Sequence, residues 1–482
     1  MPRLTMLLAA ALVSAPLSAL AAPQATTTPA PGPPARDPVL LSLDRLALSI
    51  QRRTLPNGLR VVLNPDPASP TVGVSVTYDV GSRNEATGGF GFAHLFEHLM
   101  FQGSRHVKKG DHFTLVSERG GSLNGTTAAD RTNYFEVVPA TELELVLWLE
   151  ADRMRWLDVS ATNFENQRAV VKEEYRMRVD NAAYAAGYLR LEELVFADYA
   201  PYAHPTIGNM ADLDRAQLPW VQDFYARHYG PNNAVLTIAG NFDVDQALGW
   251  VERYFSGAEA RKPPPYAPPA TPAHTRPQRE RVEDKNAKTE ALLYGWLIPA
   301  AHTPDHYALE LAALLLGDGE SARLHQALVK KLTLAQRTSA YTRDYRGLDV
   351  FGANVVLSER AKLGELEKAL DAEIAALSKT PPTASELLRV KRRLRASYVF
   401  GLQSNMRRAM ELGEYELFWG DARGIARELE HYLSVTPADV QRVVAQYLTN
   451  SNRCVIEIAP PPGAAKAALP AKAPAPVSKG KP

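Results

Sequence analysis

The sequence predicts two copies of one α+β domain, and three observations carry that expectation. Short alternating segments that read as strands are interleaved with amphipathic helical stretches along the whole 482-residue chain. A Pro-dense polar run, Arg261 to Arg279 (RKPPPYAPPATPAHTRPQR), separates two such series as an inter-domain linker does. The two series also echo one another. Val221-Gln222-Asp223-Phe224-Tyr225 leads through a helix end into a buried strand reaching Ala239, and Val440-Gln441-Arg442-Val443-Val444 leads in the same way to Ala459.

The elements follow in order. Thr54 to Leu63 reads as strand, Asn57-Gly58 turn, strand, and Thr71 to Tyr78 alternates as a further strand. Gly91 to Phe101 (GFAHLFEHLMF) is an apolar run without Pro or interior Gly and reads as a buried helix. A short helix from Asp111 stops at Gly120-Gly121, strands cover Leu123–Thr127 and Asn133–Val138, and amphipathic helices cover 141–156 and 163–178. Helices near 184–197 and 213–229, a strand at 233–240 and a helix at 244–254 complete the first half. In the second half, a strand at 289–298 precedes helices at 305–316 and 321–331 and strands across 337–357. Helical sequence then covers 361–377, 383–418 and 437–448, before a last strand at 453–458.

An apolar fraction of 45% and a charged fraction of 22% are those of a soluble globular protein. A net charge of +1 gives no basis for binding nucleic acid or an anionic membrane. Cys454 is the only cysteine, which excludes an internal disulfide and a thiolate metal cluster. Residues 1–21 carry Arg3, a Pro16-broken apolar run and Ala19-Leu20-Ala21, the pattern of a cleaved secretory signal. Export as a soluble protein, in a bacterial periplasm, is the expected location.

Chemistry is concentrated in the helix at Gly91–Phe101. His94 and His98 are four residues apart and share one face, with Cβ atoms about 6 Å apart, so two imidazoles can close on one zinc. Glu97 projects beside them, where a carboxylate can take a proton from water activated by the metal. The order is His-x-x-Glu-His, the inverse of the common zinc-protease helix. An ordinary polar helix face is the plainer reading. It is disfavoured because these three residues interrupt an apolar helix in which unpaired burial is costly. A third ligand is required, and Glu173 and Glu174 both offer one. They point about 100° apart on a helix. Glu174 shares its stripe with Val170 and Val171, a modest preference that leaves both open, and either could be a surface charge.

These residues make the chain resemble the pitrilysin/insulinase family of zinc metallopeptidases over nearly all of residues 46–460. The resemblance extends to Asn124-Gly125-Thr126-Thr127, Glu150-Ala151-Asp152-Arg153-Met154 and Pro201-Tyr202-Ala203-His204-Pro205. In that family a ligand Glu follows the motif by some 75 residues and lies six after an Arg. Arg168 and Glu174 match, with 75 residues between His98 and Glu174. The resemblance therefore implies one Zn2+ per chain on His94, His98 and Glu174, with Glu97 as general base. Gln167 stands where the family often has Glu. Asn124, Gly125 and Thr126 fall on the strand that pairs with substrate peptide in the family, and Gly125 would let a second chain approach. His204, followed by Pro, reads as a local structural residue.

The fold implied is half of a clam-shell peptidase, each domain a mostly antiparallel sheet with helices packed on one face. The expected divisions are a signal peptide at 1–21, a Pro/Ala/Thr-rich tether at 22–45 and a zinc-binding catalytic domain at 46–258. A linker at 259–286, a second domain without the zinc motif at 287–460 and an Ala/Pro/Lys-rich tail at 461–482 follow. The activity implied is hydrolysis of extended or unfolded peptides. Active relatives close a chamber of four such domains, and the half opposite the zinc supplies an Arg and a Tyr to hold the substrate carbonyl. Val329 and Gln336 stand in those two places, with Arg337 and Tyr341 nearby. The expected partner is thus a related exported chain that keeps the Arg/Tyr pair, in a heterodimer, with a homodimer as second choice. The contrasting reading is an inactive member that binds peptide or acts as a scaffold. The intact set His94, Glu97, His98 and Glu174 argues against it, and Glu97 also argues against a mere metal carrier.

Overall fold

A tight Asn57-Gly58 turn, with Gly58 at φ +88° and the Leu55 N–H on Leu59 O, folds β1 (Gln51–Thr54) back on β2 (Arg60–Pro65). The computed structural model describes residues 48–269 and 277–462. The expected signal peptide and tether, and the tail from 463, lie outside the described residues. The first sheet adds β3 (Thr71–Tyr78), β4 (Ser122–Thr127), β5 (Thr132–Pro139) and β6 (Ala234–Gly240), in the order β1-β2-β6-β3-β5-β4. The second comprises β7 (Gln278–Glu283), β8 (Ala291–Ile298), β9 (Ala335–Tyr341), β10 (Asp349–Leu357) and β11 (Arg453–Ala459), in the order β7-β11-β8-β10-β9.

The two orders are the same once β1 is set aside. Each sheet has one parallel pair, β2 with β6 and β7 with β11, and the remaining neighbours are antiparallel. The chain is thus a duplicated α+β unit with mostly antiparallel sheets. Strand β7 falls inside the segment expected as linker, 259–286. Its QRERVE sequence hides a strand behind charge: Arg279 bonds Glu367 at 2.7 Å, and Glu280 accepts from Arg190 at 2.7 Å. The run 383–418 is two helices, Ala384–Gly401 and Asn405–Trp419. Ser404 starts the second by accepting the Arg407 N–H.

Five helices position the site: α1 (Phe92–Leu99), α2 (Leu143–Trp156), α3 (Ala161–Tyr175), α4 (Ala185–Val195) and α5 (Asn405–Trp419). The first core joins Val72, Val74, Val76 and Tyr78 of β3 to Leu95, Phe96 and Leu99 of α1 and Val146 and Leu147 of α2, all fully buried. Each such aliphatic side chain contributes about 1.5–3 kcal/mol on burial, which fixes α1 to the sheet.

The opposite faces of the two sheets are closed by exchange. Helix α5, from the second half, lies on β3, β5 and β6, while α4, from the first half, lies on β8 and β11. Glycines permit both approaches. A Cβ on Gly73 would stand 2.7 Å from the Asn405 backbone, and one on Gly187 would stand 2.3 Å from Ile458 Cδ1. Asn405 also donates to Thr71 O at 2.8 Å, and Arg60 donates to Glu416 O at 3.0 Å. The helices of each half therefore do not account for all the cover: each sheet borrows one.

Candidate metal centre

Helix α1 begins where Gly91 adopts φ +100°, a left-handed conformation that suits glycine. The buried Glu85 carboxylate accepts the Gly91 and Ala93 N–H groups at 2.8 and 2.7 Å, capping two free donors of the helix start. Burial pushes the Glu85 carboxyl well above its usual range. His204 stacks on Phe90 at 4.0 Å between ring centres, with Nδ1 3.7 Å from Glu85, so it belongs to this cap and not to the metal-ligand set.

On the face of α1 turned to α3, His94 Nε2 and His98 Nε2 stand 3.6 and 3.2 Å from one oxygen, Oε2 of Glu174. Three ligands at about 2.0–2.1 Å from a tetrahedral zinc stand about 3.4 Å from each other, so the donor set fits that ion. Burial, reinforced by His98 and Arg178, holds the His94 imidazole down to about 3. It is therefore neutral, the form that offers a lone pair to a metal. The second Glu174 oxygen, Oε1, forms an ion pair with Arg178 Nη1 at 2.9 Å. Arg178 thereby leaves Oε2 facing the imidazoles. Glu173, by contrast, is 62% exposed and pairs with Arg176 at 2.8 Å. Of the two adjacent carboxylates, only Glu174 joins the histidines.

Glu97 lies beside this set and accepts Thr127 Oγ1 at 2.5 Å. Burial raises its pKa, while the Thr127 bond and His98 oppose the rise. Its neighbour on the sheet is Gly125: a Cβ there would stand 3.0 Å from Glu97 Cγ, 3.2 Å from Tyr134 and 3.3 Å from Phe101. The missing side chain thus makes room for the carboxylate.

Strand β4 is the edge of its sheet, paired only with β5 among the described residues. The Ala128 N–H bonds Arg131 O at 2.9 Å just past the Thr127–Thr132 pair. Because bonded and non-bonded pairs alternate in an antiparallel ladder, Asn124 and Thr126 spend their backbone groups on β5, and Leu123, Gly125 and Thr127 turn theirs off the open edge. The outward Gly125 N–H is bonded by the Asn124 Oδ1 at 2.9 Å. Of the expected trio Asn124, Gly125 and Thr126, only Gly125 presents its backbone to a second chain. Asn124 covers that donor. Thr126 faces the other way, donating to Asn133 at 2.6 Å.

Among the described residues, two further clusters have metal-ligand composition. His112, Glu136 and Glu150 are buried, but the Arg153 guanidinium is bound to both carboxylates and fills the place of a cation. His306, on the helix that follows β8 as α1 follows β3, meets Asp344 of the β9–β10 loop and Asp349 at the start of β10. Asp349 there already accepts His306 Nε2 at 2.8 Å and the N–H groups of Arg343, Asp344 and Val350. The second half thus has one histidine where the first has two. The residues not foreseen from sequence are Glu85, Thr127, Arg131 and Arg178. Arg178, four residues after Glu174 on a helix, carried a readable signal.

Known proteins resemble this chain over most of its length. The model described as "Insulinase (Peptidase family M16)" matches residues 60–195, and "Peptidase M16 inactive domain" matches 217–394. A zinc protease of Helicobacter pylori, PqqE, is 29% identical over 412 residues, covering 84% of this chain and 92% of its own. An uncharacterized zinc protease of Mycobacterium tuberculosis is 31% identical over 412 residues, covering 84% and 92%. The crystal structure of a Helicobacter pylori protease superposes with a TM-score of 0.81 at 28% identity, over 86% of this chain and all of that one. The first half of the periplasmic protease PqqL of Escherichia coli shares the fold, with a TM-score of 0.70 at 19% identity, over 88% and 95% of the two chains. With both halves matched and the inverted motif at its centre, the chain belongs to the pitrilysin/insulinase (M16) family of peptidases.

Proposed function

We propose that the chain is a zinc-dependent metalloendopeptidase that hydrolyses extended or unfolded peptides, with one Zn2+ per chain on His94, His98 and Glu174. The observation that carries the proposal is the meeting of both imidazole Nε2 atoms with a single Glu174 oxygen, next to a carboxylate and an open strand edge. Bound zinc would supply a Lewis acid that acidifies water and polarises a carbonyl. Glu97 takes the proton of the attacking water and returns one to the leaving amine. Thr127 Oγ1 holds the Glu97 carboxylate in place for both transfers. The outward backbone groups of Leu123, Gly125 and Thr127 hold an extended peptide by β-pairing, which accepts many sequences. Asn124 gives way when the peptide takes the Gly125 N–H.

No helix among the described residues is long and apolar enough to cross a membrane. The expected location is exported and periplasmic. The expected partner is a related subunit supplying the Arg/Tyr carbonyl clamp, with a homodimer as the second arrangement. Supporting a partner, Val329 offers no hydrogen bond, and Gln336 donates its amide to Leu357 O at 2.9 Å. The same two residues, with the match of 217–394 to an inactive domain, favour the second reading of a peptide-binding subunit without activity. Metal analysis of the purified chain, with peptide cleavage measured with and without chelator, decides between them. Zinc near one equivalent and chelator-sensitive cleavage, alone or with the partner, are expected. Zinc binding with no cleavage in either state would favour the scaffold.

A further inference from the structure

Strand β4 is held on both faces by side chains, and only one of these ties belongs to the metal centre. Toward α1, Thr127 bonds Glu97. Toward the second half, Arg131 in the β4–β5 turn donates Nη1 to Thr126 Oγ1 at 2.8 Å and to Thr126 O at 3.3 Å. The same guanidinium donates Nε to Glu414 of α5 at 2.6 Å. Arg131 is 16% exposed and Glu414 30%, so the pair is shielded from water on most sides and is worth more than a surface pair. Both line a cavity of about 760 Å3 shared with Met410, Tyr415, Phe418 and Trp419. Helix α5 is the one that the second half lends to the first sheet.

We infer that Arg131 and Glu414 are a positioning pair that sets the substrate-pairing strand β4 at its angle to the metal helix, so that the second half acts on substrate binding without touching the peptide. The inference rests on the proposed role of β4. An edge strand has ladder bonds on one side only, and its outward groups fit a peptide only if the strand does not sway. Thr126 lies between Gly125, which pairs, and Thr127, which steadies Glu97, so breaking the Arg131–Thr126 bonds loosens the strand at both neighbours. The chief effect falls on peptide binding, because the Glu97–Thr127 bond itself stays in place.

The test uses the zinc-loaded full chain and an internally quenched decapeptide. Arg131→Ala and Glu414→Gln should each raise KM about fivefold, as the loss of a shielded ion pair predicts, with kcat within about twofold. The double variant should be no worse than either single one, and the swap Arg131→Glu with Glu414→Arg should recover part of the loss. Zinc content and the thermal midpoint are measured on each variant, and a fall in either would mark a folding defect; the swap then decides. Unchanged KM in Arg131→Ala, or fully additive singles, would overturn the inference. In parallel, the fluorescein-labelled decapeptide is bound to Glu97→Gln with and without Arg131→Ala. If wild type cleaves nothing, alone or with the partner, yet Arg131→Ala weakens this binding, the peptidase reading fails and the positioning pair stands. Equal binding overturns the pair.

Discussion

Replacing Gly125 with alanine adds one methyl group at a crowded point of the site. That Cβ would stand 3.0 Å from Glu97 Cγ, 3.2 Å from Tyr134 Cδ1 and 3.3 Å from Phe101 Cε2. The two rings cannot retreat, because Arg153 lies 4.5 Å from the Tyr134 ring and 5.2 Å from the Phe101 ring, and Tyr134 is fully buried. Glu97 is the soft neighbour, and it must shift by a few tenths of an ångström at the expense of its 2.5 Å bond to Thr127. Overpacking of this kind costs about 1–3 kcal/mol. If half of that falls on the position of the base, the rate falls by about two- to tenfold, since about 1.4 kcal/mol is a factor of ten. His94, His98 and Glu174 are not in the path of the new methyl, so zinc should be retained. The assay is kcat on a quenched decapeptide at matched zinc content, with Gly125→Val expected to be worse than Gly125→Ala. A Gly125→Ala enzyme with wild-type kcat would refute the claim that Glu97 and Gly125 share that space.

The neighbouring carboxylates make a sharp contrast. Glu174→Ala should lose zinc in a chelator competition, while Glu173→Ala, which removes only a surface pair with Arg176, should keep it. Arg178→Ala should weaken zinc affinity by about two- to fivefold, the effect of removing an exposed ion pair from a ligand, with Arg178→Lys intermediate. An unchanged affinity in Arg178→Ala would show that Glu174 needs no orienting. Acid stability gives a separate test at His228, buried and held down to about 4 by burial and by Arg227. The unfolded chain binds a proton there below about 6.5 that the native chain refuses, so stability is lost as pH falls below that value, by about 2 kcal/mol at pH 4.5. His228→Gln should reduce the difference between urea midpoints at pH 7 and pH 4.5. An identical pH dependence would place the acid-sensitive group elsewhere.

The metal helix was legible because its chemistry is local: a four-residue spacing determines which face two histidines share. That Glu174 and not Glu173 meets the histidines was also partly legible, through the Val170–Val171 stripe. What the sequence could not supply lies between distant segments. The ion pair of Arg131 with Glu414 joins residues 283 apart in sequence, and nothing in either neighbourhood marks it. The exchange of α4 and α5 between sheets is likewise invisible to periodicity, because an amphipathic helix reports a buried face but not whose face covers it. Strand β7 was missed for a different reason: its Arg and Glu side chains pair with charges on neighbouring elements, so a strand of low hydrophobicity resembles linker. The outward residues of β4 required the register of the ladder. Asn124-Gly125-Thr126 marks the strand, but the parity of its hydrogen bonds follows from where the Ala128–Arg131 turn closes.

The central claim is that Glu97 moves the proton in a zinc peptidase whose ligands are His94, His98 and Glu174. Its most direct test is the cleavage rate of Glu97→Gln at a zinc content equal to that of wild type, in the same partnered or unpartnered state. The amide keeps the size of the side chain and can still meet Thr127, but it cannot accept the proton, so the rate should fall by about 10²–10⁴-fold with zinc unchanged. Cleavage by Glu97→Gln at the wild-type rate, with zinc in place, would contradict the account.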